Sequence, residues 1–448
     1  MTGRDATVGL SRRRFLAAVG LGVVGALAGC GYRPGGGDLA WESSLAGGGL
    51  LEVDDRWFLP AGDRLFVLRN RSGRTYDFES ETWYDVENAA VTALDPAGDT
   101  RLEAETERRA AGPPAVTETS IVAPVEGDRV TAIDRETAAL DLDDPTVDED
   151  GSEADERDPI RWQVDVDAAS ADGSTASADG STDDDLPENV DAVRASDRLV
   201  AAVVGDDVVV LDAETGDRAF ALSEAWPDGS DVGSLAVTPD RVAVDGGDAW
   251  VAVAGVGPDG GSGGDGTVLA RFDPTGERRV ARSLSVEVDW LAVFGGTLVA
   301  RDSNERVTGY RRDLDRRFAL SVSIPSSRPR AISRAGGRFY YSAGGTMRAI
   351  DAAAGEVVWE RSDLPTRDLL AADADGVYVA EDEVGLGEED EPRITAVGTD
   401  GENRWTAPLP DGVTVDELFA VGDRLIVVDD AELYGFRAAP GERWSLLG

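Results

Sequence analysis

A phrase of about a dozen residues returns along the chain, and its spacing limits the fold more than any other feature. "AIDAAAGEVVWE" (Ala349–Glu360) recurs as "VLDAETGDRAF" from Val210, "RFDPTGERRV" from Arg271 and "AVGTDGENRW" from Ala396. Equivalent turns fall near Asp95, Asp134, Asp212, Asp273, Asp313, Asp351, Thr399 and Ala438, and the regular intervals among them are 38–40 residues. Within a unit such as "ELFAVGDRLIVVDDAELYGFRAAPGERWSLL" (Glu417–Leu447), short apolar runs alternate with "GDR", "DDAE" and "APGE". These read as four strands joined by tight turns. Four strands per unit and a period near 40 predict an all-β propeller. Eight units give eight blades. Seven is the alternative, because the first unit, from about Leu50 to Glu105, is irregular. "DLAWESS" (Asp38–Ser44) reads as an outer strand suited to close the ring against the C-terminal blade.

The long intervals have visible causes. Between Asp134 and Asp212 lie "DLDDPTVDEDGSEADERD" (141–158) and "ASADGSTASADGSTDDDLPE" (169–188), acidic inserts that cannot bury a core and are expected to be disordered. Between them, "IRWQVDVDA" places Ile160, Trp162, Val164 and Val166 on one face, the pattern of an outer strand. A Gly-rich loop at 255–266 and "EVGLGEEDEP" (Glu383–Pro392) lengthen two later units. Residues 50–448 are therefore expected to form one propeller with surface inserts.

The N-terminus is expected to be a targeting segment, residues 1–29. Arg12 and Arg13, followed by Phe15 and Leu16, resemble the twin-arginine export signal. "LAGC" resembles a lipobox, with Cys30 as the lipidated first residue of the mature chain and 30–49 as its tether. The apolar run from Phe15 to Gly29 is shorter than the roughly 20 residues of a spanning helix. This places the protein on the outer face of the cytoplasmic membrane, held there through lipid on Cys30.

Composition narrows the function classes. The chain has 43 basic and 87 acidic residues, and every basic one is Arg. Residues 1–29 hold four Arg and one Asp, so the mature part carries 39 against 86, a formal charge of -47. Such self-repulsion opposes a compact fold in dilute buffer. In molar salt, where the Debye length is about 3 Å, the penalty is screened. A lysine-free acidic chain with 42% hydrophobic residues resembles extracellular haloarchaeal proteins. The charge excludes nucleic acid as a partner, since phosphates would be repelled. With no His and a single Cys, disulfides in the mature domain, His or thiolate metal sites and His-dependent triads are excluded.

The phrase Leu/Ile-Asp-x-x-x-Gly-x-x-x-Trp at "AIDAAAGEVVW" resembles the repeat of the pyrroloquinoline-quinone (PQQ) type propellers. That group includes quinoprotein alcohol dehydrogenases and the assembly factor B lipoproteins of the bacterial outer-membrane insertion machine. The resemblance assigns turn and packing roles to Asp134, Asp212, Gly216, Asp273, Gly276, Asp351, Gly355, Trp359, Gly401, Trp405, Gly441 and Trp444. The Asp accepts N–H bonds across the turn, the Gly adopts positive φ, and the Trp packs between blades. Val397 and Gly398 depart from it where an Asp is expected, and Phe220 and Val280 stand in the tryptophan region. The quinoprotein enzymes add a catalytic Asp beside calcium and, in many members, a vicinal disulfide. The disulfide is impossible here and no such cluster can be matched, so neither bound PQQ nor a catalytic residue is carried over.

Four further signals have bland and functional readings. "DADG" (Asp373–Gly376) is half of a structural calcium loop or, with the stronger claim, a hairpin turn. "NRS" at Asn70 is an N-glycosylation acceptor pattern. Trp57, Trp83, Trp226, Trp250 and Trp290 stand outside the repeat position, either lining a site at the propeller mouth or packing blades. The acidic inserts are solvated loops or grips for a basic partner or calcium. The expectation is a lipid-anchored, extracellular, non-catalytic binding or assembly platform with protein partners. The alternative is a quinone-dependent oxidoreductase or a carboxylate-based propeller hydrolase or lyase.

Overall fold

The computed structural model describes residues 36–45, 51–77, 82–100, 104–135, 159–166, 190–226, 237–256, 262–322, 324–327, 332–333, 337–364, 369–381 and 392–439. These form eight four-stranded antiparallel sheets arranged as the blades of a propeller. Blade 1 is β2 (Leu51–Ala61), β3 (Arg64–Asp77), β4 (Thr82–Leu94) and β5 (Ala104–Glu105), counted from the channel outward. Blades 2 to 7 run in chain order, each from an inner to an outer strand. Their inner strands begin at Ala115, Val190, Val242, Val288, Ile332 and Leu370, and their outer strands end at Asp165, Ala221, Leu284, Ser321, Arg361 and Pro408. Blade 8 is Glu417–Val421, Arg424–Asp429 and Glu432–Arg437, completed by the N-terminal strand β1 (Leu39–Ser44).

Burial explains why these segments read as they do. Second strands are sandwiched between neighbouring blades and are apolar on both faces, as in Leu199–Val204, where all six residues are buried. Outer strands are half exposed and alternate, as in Arg316–Ser321. Among the described residues eight hydrophobic clusters each join two adjacent blades, the one between blades 8 and 1 using Leu65, Val67, Leu94, Ile426 and Leu433. The ring is thus closed by packing as well as by β1.

The recurring phrase is the lock between blades. Asp212 Oδ1 accepts the N–H of Glu214 (2.9 Å) and Thr215 (3.0 Å), and Asp351 Oδ1 those of Ala353 (2.8 Å) and Ala354 (2.7 Å). The following glycines, Gly216, Gly276, Gly355 and Gly401, have φ between 71° and 87°. Each faces an aromatic on the outer strand of the preceding blade: Trp162, Phe220, Phe318 and Trp359 respectively. Trp405 meets Gly36 and Gly37 in the same way, and Trp41 meets Gly98. Blade 5 breaks the rule in a compensated manner. Its turn carries Leu314 at φ 61°, and the preceding outer strand offers Val280 in place of an aromatic. Leu314, 1% exposed, fills the space that a ring would take. Asp134 ends the third strand of blade 2, and its N–H donates to Pro159 O.

The outer strand read at Asp38–Ser44 is β1, which closes the ring as expected, so the propeller begins inside the segment 30–49 otherwise assigned to a tether. Three other sequence expectations are refined. The outer strand of the blade 8 sheet is β1, the place also expected of "GERWSLL", which lies outside the described residues. Gly37 and Trp41 hold the turn and packing places expected of Gly441 and Trp444, which lie outside the described residues. The Gly-rich stretch 255–266 is in part an extension of a hairpin, since Asp248–Val256 and Ser262–Phe272 pair out to Val256 and Ser262. Blade 1 is irregular because β2, β3 and β4 have 11, 14 and 13 residues. The two acidic inserts lie outside the described residues.

Candidate functional site

Antiparallel order fixes which connections share a face. In each blade the inner-to-second and third-to-outer turns lie at one end, called here the turn face. Second-to-third connections and crossings to the next blade lie at the other, the ribbon face. The Asp and Gly turns belong to the turn face. The ribbon face carries the extended β3–β4 hairpin of blade 1, the long hairpin of blade 4, and the strand ends flanking 167–189 and 382–391.

The β3–β4 hairpin is the largest of these elaborations. Pairing runs from Leu65↔Leu94 to Asp77↔Thr82, whereas β2 accompanies it only as far as Leu51↔Gly73. The hairpin projects about 20 Å past the six-residue length of the other blades, and its end, from Arg74↔Asp85 to Asp77↔Thr82, is a two-stranded ribbon. Its base is fixed. Asn70 Nδ2 donates to Ala110 O (3.0 Å), and Asn70 Oδ1 accepts the Ala110 N–H (2.8 Å). Arg109 Nη2 meets Asp54 at 2.8 Å and Arg71 meets Glu105 at 2.5 Å. Its tip carries Trp83 and Tyr84, 56% and 53% exposed, with Tyr76 against Trp83 at 5.3 Å between ring centroids. An exposed pair, Arg74 and Asp85, spans the ribbon at 2.7 Å.

A cavity of about 380 Å³ opens into the central channel between the inner strands of blades 7, 8 and 1 and the approach to blade 2. Its walls are mainly apolar, including Trp57, Leu59, Leu369 and Phe419, with Arg56 and Glu417 the charged groups. Phe58 and Phe419 pack across the blade 1–8 junction at 5.4 Å. Arg56 Nη1 donates to Asp430 O at 2.7 Å, tying the same two blades at the ribbon face.

The remaining sequence candidates separate cleanly. Trp226, Trp250 and Trp290 are buried between blades, Trp57 lines the cavity and Trp83 is at the ribbon tip. Asn70 is 1% exposed with its amide bonded at the ribbon base, so the folded chain offers no attachment point for a glycan there. Asp373 Oδ1 accepts the N–H of Asp375 (2.8 Å) and Gly376 (3.0 Å), and its other oxygen the Tyr378 hydroxyl (2.5 Å). Those carboxylate oxygens staple a hairpin turn. Burial, with Asp373 beside it, raises the Tyr378 hydroxyl pKa. Among the described residues no group of three or more His, Cys, Asp or Glu is placed to hold a metal. Arg12, Arg13, Phe15, Leu16 and Cys30 lie outside the described residues. Sequence reasoning missed the ribbon as an element.

Fold and lock together define a class: an eight-bladed β-propeller whose blades are locked by a recurrent Asp and Gly turn. The family described as outer membrane protein assembly factor BamB matches residues 343–447. BamB from Moraxella catarrhalis is a structural neighbour at 13% identity and TM-score 0.45, covering 87% of this chain and 98% of its own. Saccharomyces cerevisiae Sqt1 aligns at 8% identity and TM-score 0.47, over 91% of this chain and 100% of its own. The computationally designed protein Ika8 aligns at 12% identity and TM-score 0.41, over 82% and 99%. No match is found among curated proteins.

Proposed function

We propose that this chain is a lipid-anchored, extracellular binding or assembly platform that presents its ribbon face to a protein partner. The observation that carries the reading is the segregation of features between the two faces. Gly37 occupies a third-to-outer turn of blade 8, so the N-terminus leaves from the turn face. Five residues separate Cys30 from Gly36, so the two Cα atoms lie at most about 20 Å apart. With lipid on Cys30 the turn face lies toward the membrane, and the long hairpins face outward. The apolar cavity, with one Arg and one Glu, supports binding over acid–base chemistry.

The test is site-specific photo-crosslinking in native membranes held in molar salt. A crosslinker at Tyr84 is expected to capture a reproducible protein adduct, and one at Glu277 on the turn face is not. Absence of an adduct from every ribbon-face position would defeat the platform reading.

A further inference from the structure

The ribbon of blade 1 has an unpaired edge whose chemistry names its occupant. The N–H of Ala89 donates outward to Arg108 O (3.2 Å), and Ala89 O accepts the N–H of Thr106 (2.9 Å). The β3–β4 register continues to Thr82 without a shift, so by strand alternation the backbone groups of Glu87, Asp85 and Trp83 point the same way. Among the described residues nothing pairs with them. An open edge of this kind is a template for an added strand.

Side chains on this edge alternate in character. Trp83, Asp85 and Glu87 share one face, where Asp85 is ion-paired with Arg74, and Tyr84 shares the other with Val86, whose side chain is buried. An added strand would therefore meet Trp83 and two carboxylates on one side and the exposed ring of Tyr84 on the other. We propose that this edge accepts, by strand addition, an extended segment of a partner protein in which arginine or lysine alternates with aliphatic residues. The proposal rests on the platform reading and specifies how the partner is held.

Other occupants fit less well. A second copy pairing edge to edge in the centred register sets Asp85 against Asp85, and like charges directly opposed destabilise a sheet. A membrane is disfavoured because the edge is acidic and lies on the face away from the N-terminal entry. In molar salt the Debye length of about 3 Å leaves the ladder and the aromatic rings to supply affinity, while the charges select partner and register.

The probe is a short fluorescent peptide of alternating valine and arginine, titrated by anisotropy against the mature protein in molar KCl. Saturable binding is expected. Glu87→Pro removes an outward N–H without touching the β3 ladder and should weaken it about tenfold or more. Glu87→Ala removes only the charge and should have a smaller effect. Trp83→Ala with Tyr84→Ala should also lose about tenfold or more. Unchanged thermal melts establish that each variant is folded. Equal binding by wild type and Glu87→Pro, no binding at all, or equal binding of a valine–glutamate peptide would overturn the proposal. Ribbon-dependent vesicle binding or dimerisation without peptide binding would overturn it in favour of those occupants. If the Tyr84 crosslink in native membranes persists in Glu87→Pro, strand addition fails while the platform stands; if no ribbon-face position ever crosslinks, the platform itself fails.

Discussion

The blade lock makes a quantitative prediction at Gly216. This residue sits at φ 76°, and a Cβ there would lie 2.7 Å from Trp162 Cδ2 and Cε3 on the preceding blade. Gly216→Ala therefore incurs two costs. Left-handed backbone costs a residue with a Cβ about 1–2 kcal/mol. Displacing the indole, which is 8% exposed and donates to Ala213 O at 3.1 Å, adds about 1–3 kcal/mol of overpacking. The expected loss is about 2–5 kcal/mol by these two terms. Trp162→Ala alone should cost about 3–5 kcal/mol. In the double variant the clash has no partner, so only the backbone term should add to the tryptophan loss. The cycle then shows a coupling of about 1–3 kcal/mol, the size of the overpacking term. Gly296→Ala is the control, since φ is 75° and a Cβ would have nothing within 4 Å; it should lose only the backbone term. The assay is reversible urea unfolding in molar KCl followed by circular dichroism. Additivity within about 0.5 kcal/mol, or a Gly296→Ala loss equal to that of Gly216→Ala, would refute the lock.

Salt withdrawal should unfold the mature chain, because its formal -47 is screened over about 3 Å at molar salt but only over about 30 Å at 0.01 M; circular dichroism unchanged by dialysis would contradict this. The acid limb is set in part by Asp273. Burial alone would raise its carboxyl pKa, but bonds from the Thr275 hydroxyl and N–H, the Arg279 guanidinium and the Glu277 N–H outweigh it and hold the value down to about 2. The folded pKa lies below the ordinary 3.8, so this stabilisation is complete above about pH 4 and disappears as pH falls toward 2. Asp273→Asn should flatten the loss of stability across that window, and an unchanged slope would count against the assignment. Cys30→Ser should move the protein from membrane to soluble fraction, with mass spectrometry of the N-terminus deciding whether lipid was present. In lipid-anchored protein, a fluorophore at residue 277 should be quenched by bilayer-embedded acceptors more strongly than one at residue 84; equal quenching would contradict the orientation.

What the sequence made legible was what repeats. The period, the four runs per unit, the Asp and Gly turns and the alternating outer strands follow from local residue patterns, and all recur in the structure. The closing strand was legible as an alternating outer strand, and spacing adds a second signal for it. Gly37 precedes Trp41 by four residues, as Gly355 precedes Trp359 and Gly401 precedes Trp405, whereas Gly441 precedes Trp444 by three. The ribbon was hidden because "RNRSGRTYD" interrupts the apolar pattern after Leu68, so a single strand of 14 residues carries no continuous strand signal. Its readable signal was the mirrored pair Tyr76 and Trp83 about a central "FESE". Burial of Asn70 depends on Ala110, forty residues away, and a local acceptor triplet carries no information about such a contact.

The placement of the chain end ties closure of the ring to the orientation of its faces. The strand that completes blade 8 is also the segment leading back to Cys30, so an anchor there holds the propeller through a blade edge and not through a long independent linker. A regular blade strand of six residues spans about 20 Å, and the ribbon continues about as far again. Its tip would then stand some 40 Å beyond the turn face by the same rise per residue. At that height a bilayer surface charge is attenuated over several Debye lengths even at physiological salt. On the proposed function, recognition at the tip would then be decided by the partner's own strand and charges. The aromatic pair and the open edge are suited to that task, while the base, fixed through Asn70 and Arg109, sets the direction in which they point.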